Sequence, residues 1–185
     1  QAISALFKGD QPHGVDLRQD GALIAVYREI KDARSAARAD DRSRENDYLD
    51  DGAKKTDAAN VNQPSEIWRD VHDLCLRELT TRTKDIELIS WLAESCVRTR
   101  GLGALAAVLS AAKTLILNDI HLLHPSSESD APVERISSLA GLNGSQDSDG
   151  TLVRPLYLTP LAPDQIYGRA CLWHFNRAAR AKDAA

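Results

Sequence analysis

The chain has 185 residues, which is enough for one domain with a full hydrophobic core. Its formal net charge is −4, whereas a nucleic-acid-binding surface needs clustered Lys and Arg, so we predict no nucleic-acid partner. It has no run of about 18 apolar residues and no signal-peptide pattern near Gln1, so we expect no direct membrane insertion by these residues. Because it begins with Gln1 and contains no Met, we expect it to be part of a longer protein.

Three cysteines are spread along the chain without the C-x-x-C spacing of a zinc or redox site. Cys75 and Cys96 fall on apolar helical stripes, where a free thiol behaves as a small hydrophobic group. We therefore expect buried, reduced cysteines and a cytoplasmic location.

The first part of the chain predicts two helices with a gap between them. Apolar residues recur at helical spacing from about Asp20 to Ala39, which indicates a helix with one buried face. Asp40 to Asn62 is charged and has few large apolar residues, so it cannot offset the entropy of ordering and predicts a mobile loop. Ser65 can cap a second helix, which ends near Thr81.

The third and fourth helices are predicted to form a tight pair. Thr83 or Asp85 can cap the third helix, because a short side-chain oxygen accepts a hydrogen bond from the free amides of the first turn. Gly101 and Gly103 fit the end of that helix and a tight turn. The fourth helix runs from about Ala104 to Leu123, and the proline after His124 ends it.

The last third of the chain is less regular. A short helix fits Pro132 to Leu142, and Pro163 to Ala181 predicts a final helix. Leu152 to Leu158 alternates weakly, but Pro155 would break a sheet ladder, so we interpret it as an extended strap over the bundle. The predicted fold class is all-α: an antiparallel bundle of about six helices with long loops and almost no sheet.

Several motifs, in this order, resemble a known domain. Pro12 to Arg18 is similar to the P-x-G-x-D-L-R opening of the ImpA-related N-terminal domain, found in TssA-type proteins of the bacterial type VI secretion system. The central block of that domain is similar to Trp68-Arg69-Asp70-Val71, the run from Lys84-Asp85 to Glu94, Arg98 and the Gly101/Gly103-Ala104-Leu105 turn. The next helix ends in Leu123-His124-Pro125, as in the family, and the closing element resembles Arg135 to Leu142-Asn143-Gly144. The matching positions, which are structural or bind partners, are Gly14, Asp16, Leu17, Arg18, Trp68, Lys84, Asp85, Trp91, Leu92, Glu94, Arg98, Gly101 and Gly103.

The resemblance covers about residues 10–160 and sets the expected domain limits. We assign residues 1–160 to an ImpA-like N-terminal helical domain, with residues 40–62 as its mobile charged loop. Residues 161–185 are then a terminal helix or the start of a linker to a further C-terminal region.

What the resemblance implies is a non-catalytic assembly component of the type VI secretion system, a cytoplasmic contractile injection machine. In TssA-type proteins this domain is the peripheral N-terminal module, and C-terminal regions build a ring-like homo-oligomer. The implied partners are baseplate, tube or sheath proteins, and no cofactor is implied. A membrane-linked relative with the same domain, which caps the sheath at the far end of the cell, is an alternative.

We predict no catalytic, cofactor-binding or metal-binding residues. The rival interpretation is a small helical metal-dependent hydrolase that uses His121 and His124, with Asp119 and Glu128 nearby. Its weakness is that a metal site needs three or four convergent ligands, while this spacing guarantees only two.

Charged residues in the central block have ordinary structural interpretations. Glu94 and Arg98 have the spacing of a surface ion pair. Lys84 is expected to be a solvated neighbour of the capping Asp85.

Trp68 and Trp91 could stack across the bundle, or one could be an exposed anchor for a partner, although the apolar neighbours of Trp68 favour its burial. The Asp16-Leu17-Arg18 motif could hold the N-terminal segment through an Arg–carboxylate contact, or could be a docking motif.

Overall fold

The computed structural model describes residues 3–50, 64–125, 132–145, 148–161 and 170–183. Its elements in chain order are α1 (Ile24–Asp50), α2 (Ile67–Thr81), α3 (Ile86–Thr99), α4 (Leu102–Asp119), a 3-10 helix (Ile120–Leu122), α5 (Pro132–Arg135), α6 (Ser137–Ala140), β1 (Gly144–Ser145), β2 (Ser148–Asp149), α7 (Val153–Leu158) and α8 (Leu172–Asp183). The all-α prediction is confirmed. In the described residues, strand is limited to the β1–β2 hairpin, in which Gly144 lies opposite Asp149.

Helix α3 is the centre of the bundle. It packs against α2, α4, α6 and α7, and every residue from Leu88 to Val97 is buried. The middle of α3 is mostly apolar, so it is stable only when neighbouring elements cover it, which explains its central position. Ser90 and Ser95 are compatible with this burial because their hydroxyls donate to the backbone of the same helix.

Helix α1 is longer than the sequence predicts, because it continues past Ala39 to Asp50. The predicted loop is therefore wrong for residues 40–50, and residues 51–62 lie outside the described residues. A tertiary contact explains the extra turns: Asp41 accepts hydrogen bonds from the Ser65 backbone and the Trp68 indole, at 2.9 and 2.7 Å. Asp41 thus ties the extended α1 to the start of α2.

The α3–α4 turn depends on one glycine. Gly101 has φ +79°, a backbone angle that residues with a Cβ rarely adopt. Its N–H donates to the Cys96 carbonyl at 2.8 Å. Gly103 instead lies in the first turn of α4, without a positive φ and with open space where a Cβ would be. The prediction of a turn role is therefore right for Gly101 and wrong for Gly103.

Helix α4 packs one side against α3. Its buried residues are Leu105, Val108, Ala111, Ala112 and Leu115. With the 3-10 helix it forms a stretch, Leu102–Leu122, that is long and apolar enough to cross a membrane by length and composition, with a mean hydropathy of 1.4. Only 28% of this apolar window is buried, because the side of α4 that faces away from α3 exposes Leu109 and Leu117.

The irregular C-terminal part differs from the prediction in one element. Leu152 to Leu158 was expected to be extended, but Val153–Leu158 is helix α7. Pro155 is tolerated there because it lies in the first turn, where a backbone N–H has no partner inside the helix. The predicted short helix is two pieces, α5 and α6, and the described part of the final helix starts at Leu172.

Candidate functional site

An N-terminal arm, residues 3–23, crosses the start of α3. The Val15 N–H donates to the Arg82 carbonyl at 3.0 Å, and the Lys84 N–H donates to the His13 carbonyl at 2.8 Å. Gly14 has φ +72°, and a Cβ at this position would lie 1.9 Å from the Arg82 carbonyl oxygen. The first glycine of the family motif is therefore required by close backbone contact.

Asp85 joins the arm to the bundle. Its Oδ1 caps α3 by accepting from the backbone N–H groups of Glu87 and Leu88, at 2.8 and 3.1 Å. Its Oδ2 accepts from Arg18 at 2.6 Å, and Arg18 also pairs with Asp16 at 3.1 Å and with Glu87. Of the two alternatives for the Asp16-Leu17-Arg18 motif, the structure shows the Arg–carboxylate contact.

Opposing effects act on the two charges of this contact. Burial raises the pKa of the Asp85 carboxyl, against the hydrogen bond from Arg18. Burial lowers the pKa of the Arg18 guanidinium, but its hydrogen bond and charge interaction with Asp85 outweigh burial, so the net direction is upward. Arg18 also lies over the Tyr27 ring at 4.3 Å. The guanidinium therefore stays charged and holds the arm.

Lys84 is buried, so its expected solvent exposure is wrong. Its Nζ donates to the Leu79 carbonyl at 2.6 Å and lies 4.1 Å from the centre of the Phe7 ring. It thus satisfies a carbonyl at the end of α2, where a positive charge is favourable. Burial lowers the pKa of the Lys84 ammonium to about 8.

Other family positions are core residues. Leu17, Trp68, Trp91 and Leu92 are all buried. The two tryptophans do not stack on each other: Trp91 stacks on Tyr27, with ring centres 5.6 Å apart, and Trp68 lies under Arg98 at 4.1 Å. Neither is an exposed anchor.

Glu94 is a buried carboxylate, and its predicted role in a surface ion pair is wrong. Its side chain is 0% exposed, and it faces Arg34 at 2.7 Å, Arg38 at 3.3 Å and Arg98 at 3.8 Å. The spacing of Glu94 and Arg98 was right, but α3 is covered by α1 at this point, so the pair lies inside the bundle. Arg98 makes its closer contact with Asp41, at 2.9 Å.

Sequence reasoning missed Asp41, Arg34 and Arg38. A signal existed for the arginines: Arg34 and Arg38 lie one turn apart at the edge of the apolar face of α1, where a long side chain reaches a neighbouring helix. Asp41 had no comparable signal, because its partners come from α2 and α3.

Among the described residues, the histidines of the rival hydrolase have other surroundings than a group of metal ligands. His124 lies against the start of α3: its N–H donates to the Lys84 carbonyl, its carbonyl accepts from Ile86, and its Nε2 lies 3.2 Å from the Gly14 carbonyl. His121 is exposed. Glu128 lies outside the described residues, and the described residues contain no group of three or more His, Cys, Asp or Glu side chains placed to hold a metal.

Comparison with known proteins identifies the family. No curated protein and no solved structure gives a significant match. The sequence model of the family described as "ImpA, N-terminal, type VI secretion system" matches residues 5–144, from the N-terminal arm to the first residue of β1. This range contains every family position discussed above and more than half of the chain. The chain therefore belongs to the ImpA N-terminal family and is a component of the type VI secretion system.

Proposed function

We propose that this chain is the N-terminal interaction module of a TssA-like assembly protein. In this role it binds a baseplate, tube or sheath component in the cytoplasm and catalyses no reaction. Further regions of the same protein form the ring-like homo-oligomer, and the module projects from that ring.

The observation that supports the proposal is the family match over residues 5–144. The family positions also have structural uses in the described residues. Arg18, Asp85, Glu94 and Arg98 are in ion pairs, while the apolar positions lie in the core. Side chains engaged in this way hold a rigid module together, and a rigid module loses little entropy when it binds a partner.

Display on a ring determines the expected affinity. Several copies facing a repetitive target raise the effective concentration of each contact, so a weak single-module interaction is sufficient. We therefore expect weak binding by the isolated chain and strong binding by the assembled ring.

Deletion of residues 5–144 from the protein that contains this chain tests the proposal. The deletion variant should still form the ring, as measured by light scattering, but cells should lack extended sheaths, as seen by microscopy of a fluorescent sheath protein. Normal sheath number and firing rate in these cells would contradict the proposed role.

The same cells separate the assembly role from the sheath-capping alternative. A fluorescent fusion of the undeleted protein should follow the baseplate and the growing sheath end. A fusion that appears only when the sheath reaches the far side of the cell would support the capping alternative.

A further inference from the structure

One flank of α1 carries a row of arginines beside α3. Arg34, Arg38 and Arg42 are spaced four residues apart, so they lie on the same side of the helix. The first two contact Glu94 of α3, where Arg98 also lies. We call these four residues the arginine cluster.

The cluster has more positive charge than its acidic partners neutralise. Its ion-pair partners are two carboxylates, Glu94 and Asp41. Arg42 is exposed and makes no ion pair within the described residues. Within the described residues, these four guanidinium groups are ion-paired with only two carboxylates, which leaves two positive charges in the described network.

The surplus charge is held in a confined place. Burial lowers the pKa of the Arg38 guanidinium, Glu94 opposes this effect, and the charges of Arg34 and Arg42 lower it further. Burial also lowers the pKa of Arg98, and Arg38 adds to that effect. Each pair of arginines repels, so an added anion would relieve a cost already present in the free chain.

The cluster is also ordered and accessible. Arg34 lies over the Trp91 ring at 5.4 Å, and both Arg34 and Arg38 face Glu94 through Nε. The Arg38 side chain is 32% exposed, and Arg42 is exposed as well. Donors held in place before binding lose little entropy when they bind.

We infer that the arginine cluster binds the carboxylate side chains of an acidic segment in a partner protein. This inference rests on the proposed function and names the chemistry of the partner that the module recognises. Guanidinium groups bind carboxylates through two parallel hydrogen bonds. The row from Arg34 to Arg42 spans about 12 Å of helix, the length of a short peptide segment. A nucleic acid presents a longer array of negative charge than a row of about 12 Å can contact, which favours a short acidic segment of a protein.

The test measures the affinity of the 185-residue chain for a fluorescently labelled octaglutamate peptide. Binding is followed by the fluorescence anisotropy of the peptide at low ionic strength. Arg42→Gln should weaken binding by about threefold to fivefold, the upper part of the range for an exposed charge pair. Arg38→Gln combined with Arg42→Gln should weaken it by about tenfold or more. The matched control is Arg69→Gln on α2, which removes the same charge from a side chain that is 70% exposed and should change the affinity less than twofold.

Three results would overturn the inference. Equal weakening by Arg42→Gln and Arg69→Gln would show that net charge alone drives binding. A single-stranded octanucleotide that binds more tightly than the peptide, with the same sensitivity to Arg42→Gln, would assign the cluster to nucleic acid. Full displacement of the peptide by an equal concentration of inorganic phosphate would leave a site for small anions only.

The peptide test and the deletion test can fail separately. If the deletion stops sheath assembly but octaglutamate binding does not depend on Arg42, the interaction role stands and the acidic partner is wrong. Because Arg42 is exposed, unchanged melting of its variant checks that any loss of binding is local.

Discussion

The two ends of α3 carry opposite charge surpluses. At the N-terminal end, Asp16, Asp85 and Glu87 surround the single guanidinium of Arg18, so this ion-pair network has two more carboxylates than guanidinium groups. At the C-terminal end, the arginine cluster surrounds Glu94 and Asp41, which leaves two positive charges. Each surplus complements the helix dipole, which is positive at the N-terminus and negative at the C-terminus.

The two ends differ in whether their charged side chains are fully engaged inside the chain or still reach solvent. At the N-terminal end Asp85 is saturated by backbone amides and by Arg18, and the result is a fixed arm. At the C-terminal end Glu94 is buried and Asp41 is partly buried, while Arg38 and Arg42 reach solvent. The same kind of charge pair therefore stabilises the fold at one end and leaves an interaction surface at the other.

The largest expected effect is at the C-terminal end. Glu94→Ala should lower the free energy of unfolding by about 3 kcal/mol or more, because it leaves confined arginines without their shared partner. Urea denaturation measures this value. Glu66→Ala, which removes a surface carboxylate that is 80% exposed, is the control and should cost less than about 0.5 kcal/mol. A similar loss of unfolding free energy in both variants would mean that the ion pairs of Glu94 do not stabilise the fold.

A smaller effect is expected at the N-terminal end, where the cap and the ion pair can be separated. Asp85→Ala should cost about 2 kcal/mol, since both interactions are lost, while Asp85→Asn keeps a capping oxygen and should recover about 1 kcal/mol of that loss. Amide exchange at Val15, which is bonded to the Arg82 carbonyl, reports on the arm. It should accelerate in both variants, and unchanged exchange would show that the arm is held without Asp85.

The smallest effect is a dependence on pH from Lys84. Its pKa is about 8 in the folded chain, against an ordinary value of 10.5. The unfolded chain therefore binds more protons between pH 8 and 10.5, so this group makes the free energy of unfolding rise with pH across that window. The rise should be of the order of 1 kcal/mol, smaller than the full shift implies, because the Phe7 ring favours the charged form.

Burial raises the pKa of the Cys75 and Cys96 thiols, so these groups also make stability depend on pH. The measurement is therefore the difference between the wild-type and Lys84→Met profiles. The wild type should gain stability relative to this variant from pH 8 to 10.5. Lys113→Met, which removes an exposed lysine on α4, should run parallel to the wild type. If the stability profile of Lys84→Met also runs parallel to that of the wild type, the proposed effect of Lys84 on the pH dependence is wrong.

Local rules predicted the parts of the molecule that depend on neighbouring residues. The Asp85 cap and the Gly101 turn could be identified because each satisfies backbone groups within a few positions of itself. The predictions that were wrong depend instead on contacts between residues that are distant in the sequence. Residues 40–50 are helical because Asp41 meets α2 and α3, and Lys84 is buried because the arm and the end of α2 cover it.

The helical class, the approximate positions of the main helices and, through the ordered motifs, the family could all be predicted from the amino-acid sequence. These follow from periodic apolar residues and local capping, which the chain encodes over short distances. Which charged side chains are buried depends on the packing of the helices. Glu94 and Arg98 have the same sequence spacing on a surface helix and on a central one, and only the packing of α1 against α3 makes their environment buried.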